Sequence, residues 1–352
     1  MSDNPSLVLR KIKDVAFEDR PVPVVEDPHY VKIAIKATGI CGSDYDYYEH
    51  GSCGSFVVHD PMVLGHESAG IVVEVGKAVT SVKVGDRVAC EPGVPSRFSH
   101  EYKTGHYNLD PEMAFAATPP IDGTLARYYM LPEDFCVKLP DNVSLEEGAV
   151  VEPLTVGVHS NRQADTRFGD RVIVMGAGPV GLLTAGVSRG FGATEVLVVD
   201  IVQKRLDFAL EHGYATHAFN SKGKTTDDLI AYIKKAWDGK LPSVGIDCTG
   251  VPSCIYDAVT SLDKNGRYVQ VGNGGATLDG FPIAKVSECE LTVKGSFRYT
   301  VGDYQTSVDL IANGKLDVKP LITHRFAFEQ AIDAYKFFGE GKAIKIMIAG
   351  PK

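Results

Sequence analysis

The stretch Val174-Met175-Gly176-Ala177-Gly178-Pro179-Val180-Gly181 decides how this chain folds. Arg171-Val172-Ile173-Val174-Met175 is a short apolar run of strand character, and Leu182-Leu183-Thr184-Ala185-Gly186-Val187 reads as a helix. A Gly-x-Gly-x-x-Gly pattern carries little on its own. Between a strand and a helix it has a physical purpose. Gly176 makes the tight turn, Gly178 lets a pyrophosphate approach the backbone, and Gly181 lets helix pack on strand. The free amides at the helix N-terminus then face the phosphates.

Outward from this turn the texture repeats. Glu195-Val196-Leu197-Val198-Val199-Asp200 reads as a second strand, and Lys204 to Leu210 opens a second helix. Ser243 to Cys248 and Gly266 to Gly272 continue the alternation. Strands alternating with helices predict an α/β domain, a doubly wound parallel Rossmann sheet with helices on both faces. Asp200 ends the second strand, nineteen residues after Gly181. A carboxylate there accepts hydrogen bonds from ribose hydroxyls and repels a 2′-phosphate. Lys204 and Arg205 pull the other way, but Asp200 dominates, so NAD is expected over NADP.

The first third is different. Leu7-Val8-Leu9, Val31 to Ala37, Gly70 to Gly76 and Asp86 to Cys90 read as strands, rich in Gly, Pro and β-branched residues. This predicts a compact β barrel. Residues 92–124 show little periodicity and read as a long lobe or loop. Glu146 onward reads as a helix capped by Ser144. Within the β region lies Gly65-His66-Glu67-Ser68-Ala69-Gly70, and Cys41 sits 25 residues before His66. A thiolate, an imidazole and a carboxylate are three protein ligands, the number a catalytic zinc uses. Asp44 is a sensible acceptor for the other ring nitrogen of His66. Glu152 is a further carboxylate that either ligates the metal or hydrogen-bonds its water. Taken singly, a buried thiol and a solvated His-Glu turn explain these residues as well.

Composition narrows the partners. The chain has 352 residues, enough for two domains, and a formal net charge of −9 without a basic cluster. Nucleic acid and anionic membranes are not expected partners. The N-terminus lacks a charged leader with an apolar run, and no window approaches a membrane span. Seven cysteines, an odd number without a framework, suggest reduced thiols and a cytoplasmic location.

The motif Gly65-His66-Glu67-x-x-Gly70-x5-Gly76-x2-Val79 resembles the zinc signature of medium-chain alcohol and polyol dehydrogenases. Gly39 to Asp44, Gly85 to Val88, Glu91-Pro92-Gly93, Val151 to Leu154 and Gly295 to Tyr299 resemble the same family. The stretch between Pro95 and Pro119 is most similar to xylitol dehydrogenases of the yeast type. The resemblance implies a GroES-like barrel as catalytic domain, residues 1–156 and 292–352, around an NAD-binding domain at 157–291. It implies that Cys41, His66 and Glu67 hold one catalytic zinc, with Glu152 on its water or the substrate. Tyr47, Glu152, Arg298 and Tyr299 would meet polyol hydroxyls. Gly176, Gly178, Val180, Gly181, Asp200, Arg205, Val271, Asn273, Ser296 and Arg298 would line NAD.

Two departures stand out. Ser96, Ser99, Tyr102 and Asp110 replace the four cysteines that hold a structural zinc in many relatives, so no second zinc is expected. Asp46 stands where relatives usually carry a relay histidine. Ser43 remains to begin a proton relay, and His50 is nearby in sequence. The implied reaction is oxidation of a polyol to a ketose, xylitol to D-xylulose or sorbitol to D-fructose, with hydride passing to NAD. The same chemistry on a simple alcohol or amino alcohol is the alternative. A nucleotide-sensing scaffold would have no need of intact ligands, nor would a metal-independent quinone reductase. A homo-oligomer, tetramer or dimer, is expected from the resemblance.

Overall fold

In a computed structural model, the strand Tyr30–Gly39 is the axis of the unit that carries the cysteine and His-Glu pair. The structure describes residues 3–352. It divides into two units, Met1–Glu152 with Thr300–Lys352, and Pro153–Tyr299.

The main sheet of the first unit has seven strands among the described residues, ordered Cys136–Lys138, Arg87–Cys90, Glu67–Val75, Tyr30–Gly39, Lys345–Ala349 and Ile322–Phe326, with Tyr128–Pro132 also pairing Tyr30–Gly39. Strand alternation buries Val31, Ile33 and Ile35 against Val72, Val88 and Leu131. The register also brings residues from three strands together. Glu67 pairs directly with Gly39, and Met347 pairs with Gly39 from the other side. Residues paired across neighbouring strands share a sheet face, as do residues two apart on one strand. Glu67, Gly39, Met347 and Lys345 therefore lie on the same face.

A helix, Gly42–His50, follows the central strand at once, with Cys41 in extended conformation as its N-cap. The helix Leu145–Gln163 starts at a reciprocal cap. The Glu147 amide donates to Ser144 Oγ at 3.2 Å, and the Ser144 amide donates back to Glu147 Oε2 at 2.8 Å.

The second unit is a six-stranded, all-parallel sheet in the order His217–Asn220, Glu195–Asp200, Arg171–Met175, Val244–Asp247, Arg267–Gln270, Thr292–Gly295. The chain starts in the middle, winds to one side, returns and winds to the other. That order is doubly wound, and the reversal falls between Arg171–Met175 and Val244–Asp247. Ile173, Met175, Leu197 and Tyr268 are buried in one cluster with Leu229, Ile233 and Leu262 of the covering segments. No helix among the described residues is long and apolar enough to cross a membrane.

Candidate metal centre and nucleotide site

Cys41, His66 and Glu67 offer a sulfur, a nitrogen and an oxygen that all lie within 4.8 Å of one another. Three pieces of local structure bring them there. Cys41 begins the helix after the central strand. Gly65, at φ +91, turns the chain so that His66 faces inward; a side chain at Gly65 would also collide with Leu125. Glu67 opens the neighbouring strand.

Supporting groups hold each donor. His66 Nδ1 is 3.2 Å from Asp44 Oδ1, and Asp44 is fully buried on the helix. Burial alone would press the imidazole toward neutrality, but the charges of Asp44 and Cys41 outweigh it, and its pKa is raised well above the usual value. The Ser43 hydroxyl donates to Cys41 Sγ at 3.3 Å. Lys345, 4% exposed, donates to both oxygens of Glu67 at 2.6 and 2.7 Å and to the Ile40 carbonyl at 3.1 Å. Burial would strip its proton, yet Glu67 beside it keeps its pKa raised. The ion pair crosses Gly39, where a Cβ would sit 2.1 Å from Glu67 Oε2. Glycine at this position is a requirement of space.

Tyr47 is buried on the same helix, and burial pushes its hydroxyl up to about 12. Glu152 is buried, within electrostatic reach of Lys345 and Tyr304. Thiol, imidazole and carboxylate fit zinc by donor chemistry, and three of them leave one position of a tetrahedron for another ligand.

In the second unit, Gly176 takes φ +98 at the end of Arg171–Met175, and Gly178 caps the helix Pro179–Gly190. A Cβ at Gly178 would meet nothing within 4 Å, so space lies open at the helix N-terminus. One at Gly181 would sit 2.0 Å from the Gly176 carbonyl oxygen. Asp200 Oδ2 accepts the Ala177 amide at 2.7 Å, which ties the second strand to the glycine turn. Its Oδ1 accepts the Val202 amide at 2.8 Å. Val271 and Gly272 donate to the Asp247 carbonyl at 2.9 Å, and the Ser296 amide donates to the Gln270 carbonyl at 2.8 Å. These segments border the strand ends at the reversal, where doubly wound sheets bind ligands. The turn, the open helix end and Asp200 fit a dinucleotide.

Residues 27–141 match the alcohol dehydrogenase GroES-like domain, and residues 179–313 match the zinc-binding dehydrogenase domain. Sorbitol dehydrogenase 1 of Saccharomyces cerevisiae is 56% identical, over 100% of this chain and 99% of its own. The chain belongs to the zinc-binding medium-chain dehydrogenases. D-xylulose reductase of Scheffersomyces stipitis is 52% identical over the full length of both. The crystal structure of 2R,3R-butanediol dehydrogenase from Bacillus subtilis superposes with a TM-score of 0.89 at 30% identity, covering 99% of this chain and 100% of that one.

Within this dehydrogenase, Cys41, His66, Glu67, Ser43 and Tyr47 gather in the first unit with Glu152. Val180, Arg205, Asn273, Arg298 and Tyr299 belong to the second unit. Arg298 takes φ +52 and lays its guanidinium over Phe297, 4.9 Å from the ring centre. Tyr299 is buried.

The lobe is built from side-chain hydrogen bonds. Asp110 accepts the amides of Ser96 at 2.7 Å and Glu112 at 2.9 Å. Ser99 caps the short helix His100–Lys103 through the Tyr102 amide. Arg97 clamps Asp134 with two bonds of 2.8 and 2.6 Å and donates to the Tyr102 hydroxyl at 3.2 Å. Asp46 neighbours Cys53, whose thiol is pushed up to about 11, first by burial and then by the Asp46 charge. His50 is exposed at the helix end.

Two residues escaped the sequence reading. Lys345 is the larger omission. Its signal was a single charge inside the apolar run Ala343 to Ile348. The other is Asp247, fully buried at the strand reversal, which accepts from Gly250, Thr249 and Gln270 at 2.6, 2.6 and 2.7 Å.

Proposed function

We propose that this protein oxidises polyols to ketoses with NAD as hydride acceptor, and that Cys41, His66 and Glu67 hold its one zinc ion. The observation that supports the assignment most is the convergence of three donor atoms within 4.8 Å, each backed by its own partner, in a chain 56% identical to a sorbitol dehydrogenase. A zinc ion bound there would lower the pKa of a substrate hydroxyl, and NAD would accept the hydride.

The residues of the chain supply the rest. Asp44 engages Nδ1 of His66, which leaves the other ring nitrogen for the metal. In the first unit Tyr47 and Glu152 offer buried polar groups to substrate hydroxyls; in the second, Arg298 and Tyr299 are assigned the same role. A pocket that pairs its buried polar groups with several hydroxyls rejects a monoalcohol, which leaves them unpaired. Ser43 starts the path of the proton. Asp200 receives the adenosine ribose, and Gly176, Gly178 and Gly181 make room for the pyrophosphate. Val180, Arg205, Val271, Asn273 and Ser296 line the remainder of NAD. We further propose a cytoplasmic homo-oligomer, dimer or tetramer, with xylitol and sorbitol as the leading substrates.

The test is NADH absorbance with xylitol, sorbitol, threonine and ethanol, on wild type and on Cys41→Ser and His66→Ala. Polyols should turn over best in the wild type. Both variants should lose activity and retain NADH binding. Full polyol oxidation by a metal-free variant rules the mechanism out, and preference for threonine or ethanol moves the chain to the alternative substrate class.

A further inference from the structure

We infer that Lys345 is a positioning residue that governs how Glu67 meets the metal. It holds the carboxylate by both oxygens and would share one of them with a divalent cation bound by Cys41, His66 and Glu67. This rests on the assignment of Cys41, His66 and Glu67 as ligands.

The geometry is specific. An ammonium has three N–H donors, and all three of Lys345 are used, on Glu67 Oε1, Glu67 Oε2 and the Ile40 carbonyl. Water has little access to either partner, since Lys345 is 4% and Glu67 1% exposed. The sheet register sets up the pair. Glu67 and Met347 both oppose Gly39, and Lys345 is two residues along on the same face. The missing side chain of Gly39 opens the path between them.

A buried ion pair adds little net stability compared with apolar residues of the same size, so stability alone is a poor reason for this lysine. Its charge does something an apolar side chain cannot. It satisfies a buried carboxylate before metal arrives, and it repels a divalent cation that sits on the same carboxylate. Lys345 therefore keeps the metal-free fold intact and holds Glu67 back from closing fully on the metal. Ile40, whose carbonyl takes the third proton, immediately precedes Cys41. The lysine thus touches the backbone beside one ligand and the side chain of another.

The experiment compares wild type, Lys345→Met and the double variant Lys345→Met/Glu67→Gln. Metal-free protein is melted, zinc affinity is measured against a competing chelator, and the visible spectrum is recorded with cobalt in place of zinc. Two readouts should move in opposite directions in Lys345→Met. The metal-free melting temperature falls, because a buried carboxylate loses its partner. Zinc affinity rises by roughly ten- to a hundredfold, the scale on which supporting contacts act, and the cobalt bands shift as Glu67 approaches. The double variant, with no unpaired buried charge, recovers melting temperature relative to Lys345→Met. Zinc affinity that is unchanged or lower in Lys345→Met overturns the inference, as does an unaltered cobalt spectrum. A wild type that takes up no zinc overturns the ligand assignment instead.

Discussion

Replacing Gly39 by alanine tests how tightly the metal centre is built. The added Cβ would lie 2.1 Å from Glu67 Oε2 and 3.3 Å from Glu67 Cβ and Cδ. Gly39 is paired on both sides, to Glu67 and to Met347, so its backbone has little freedom to retreat. The carboxylate must move instead, by roughly 1 Å, in a packed interior. Overpacking of this kind costs about 1–3 kcal/mol. The Lys345 contacts, 2.6 and 2.7 Å at present, lengthen as well. At an effective dielectric of about 20, a 1 Å separation of such a pair loses on the order of 1.5 kcal/mol. Together the loss is about 3 kcal/mol, a fall in melting temperature of several degrees. Zinc affinity should fall by roughly tenfold or more, because a displaced Glu67 no longer faces Cys41 and His66. Scanning calorimetry of the metal-free protein and elemental analysis of the loaded protein check both. A Gly39→Ala protein that melts within about 1 °C of wild type and retains its zinc refutes the reasoning.

Other outcomes rest on the same structure. Gly181→Ala would put a Cβ 2.0 Å from the Gly176 carbonyl oxygen. Both sides are backbone, so the turn itself must open, and NADH binding measured by fluorescence should weaken at least about tenfold while the metal centre is unaffected. Asp44→Asn removes the charge that orients His66, and zinc affinity should drop by roughly 10–100-fold with little change in NADH binding. Glu91 is raised by burial to about 8, and the Tyr107 hydroxyl donates to it. The folded protein keeps this proton where the unfolded chain has lost it. The stabilising contribution is therefore complete below about pH 4.5 and is lost as pH rises through about 8. Glu91→Gln still accepts from Tyr107, so its loss of stability between pH 5 and pH 9, followed by thermal melts, should be shallower than that of wild type.

The Rossmann unit was legible because its signals are local. The glycine turn needs only its own residues and the strand and helix that flank it, and Ser144 and Glu147 form their cap three positions apart. The metal centre was partly legible, since His66 and Glu67 are adjacent and Cys41 opens a recognisable stretch. The helix Gly42–His50 was not read, because Ser43 to His50 mixes charges and tyrosines without an apolar stripe. The short pairings of Gly93–Val94 with Ala114–Phe115 were hidden for a related reason, two-residue strands being too short to show alternation. Lys345 could not be understood from its own strand. Its meaning depends on Glu67, 278 positions away, and on the absence of a side chain at Gly39.

The most direct test is zinc content per chain, by elemental analysis of wild type and of His66→Ala purified without added metal. One zinc per wild-type chain, lost in His66→Ala, is the predicted result. No zinc in the wild type, two per chain, or one that persists in His66→Ala would contradict the assignment of Cys41, His66 and Glu67 as the single metal site.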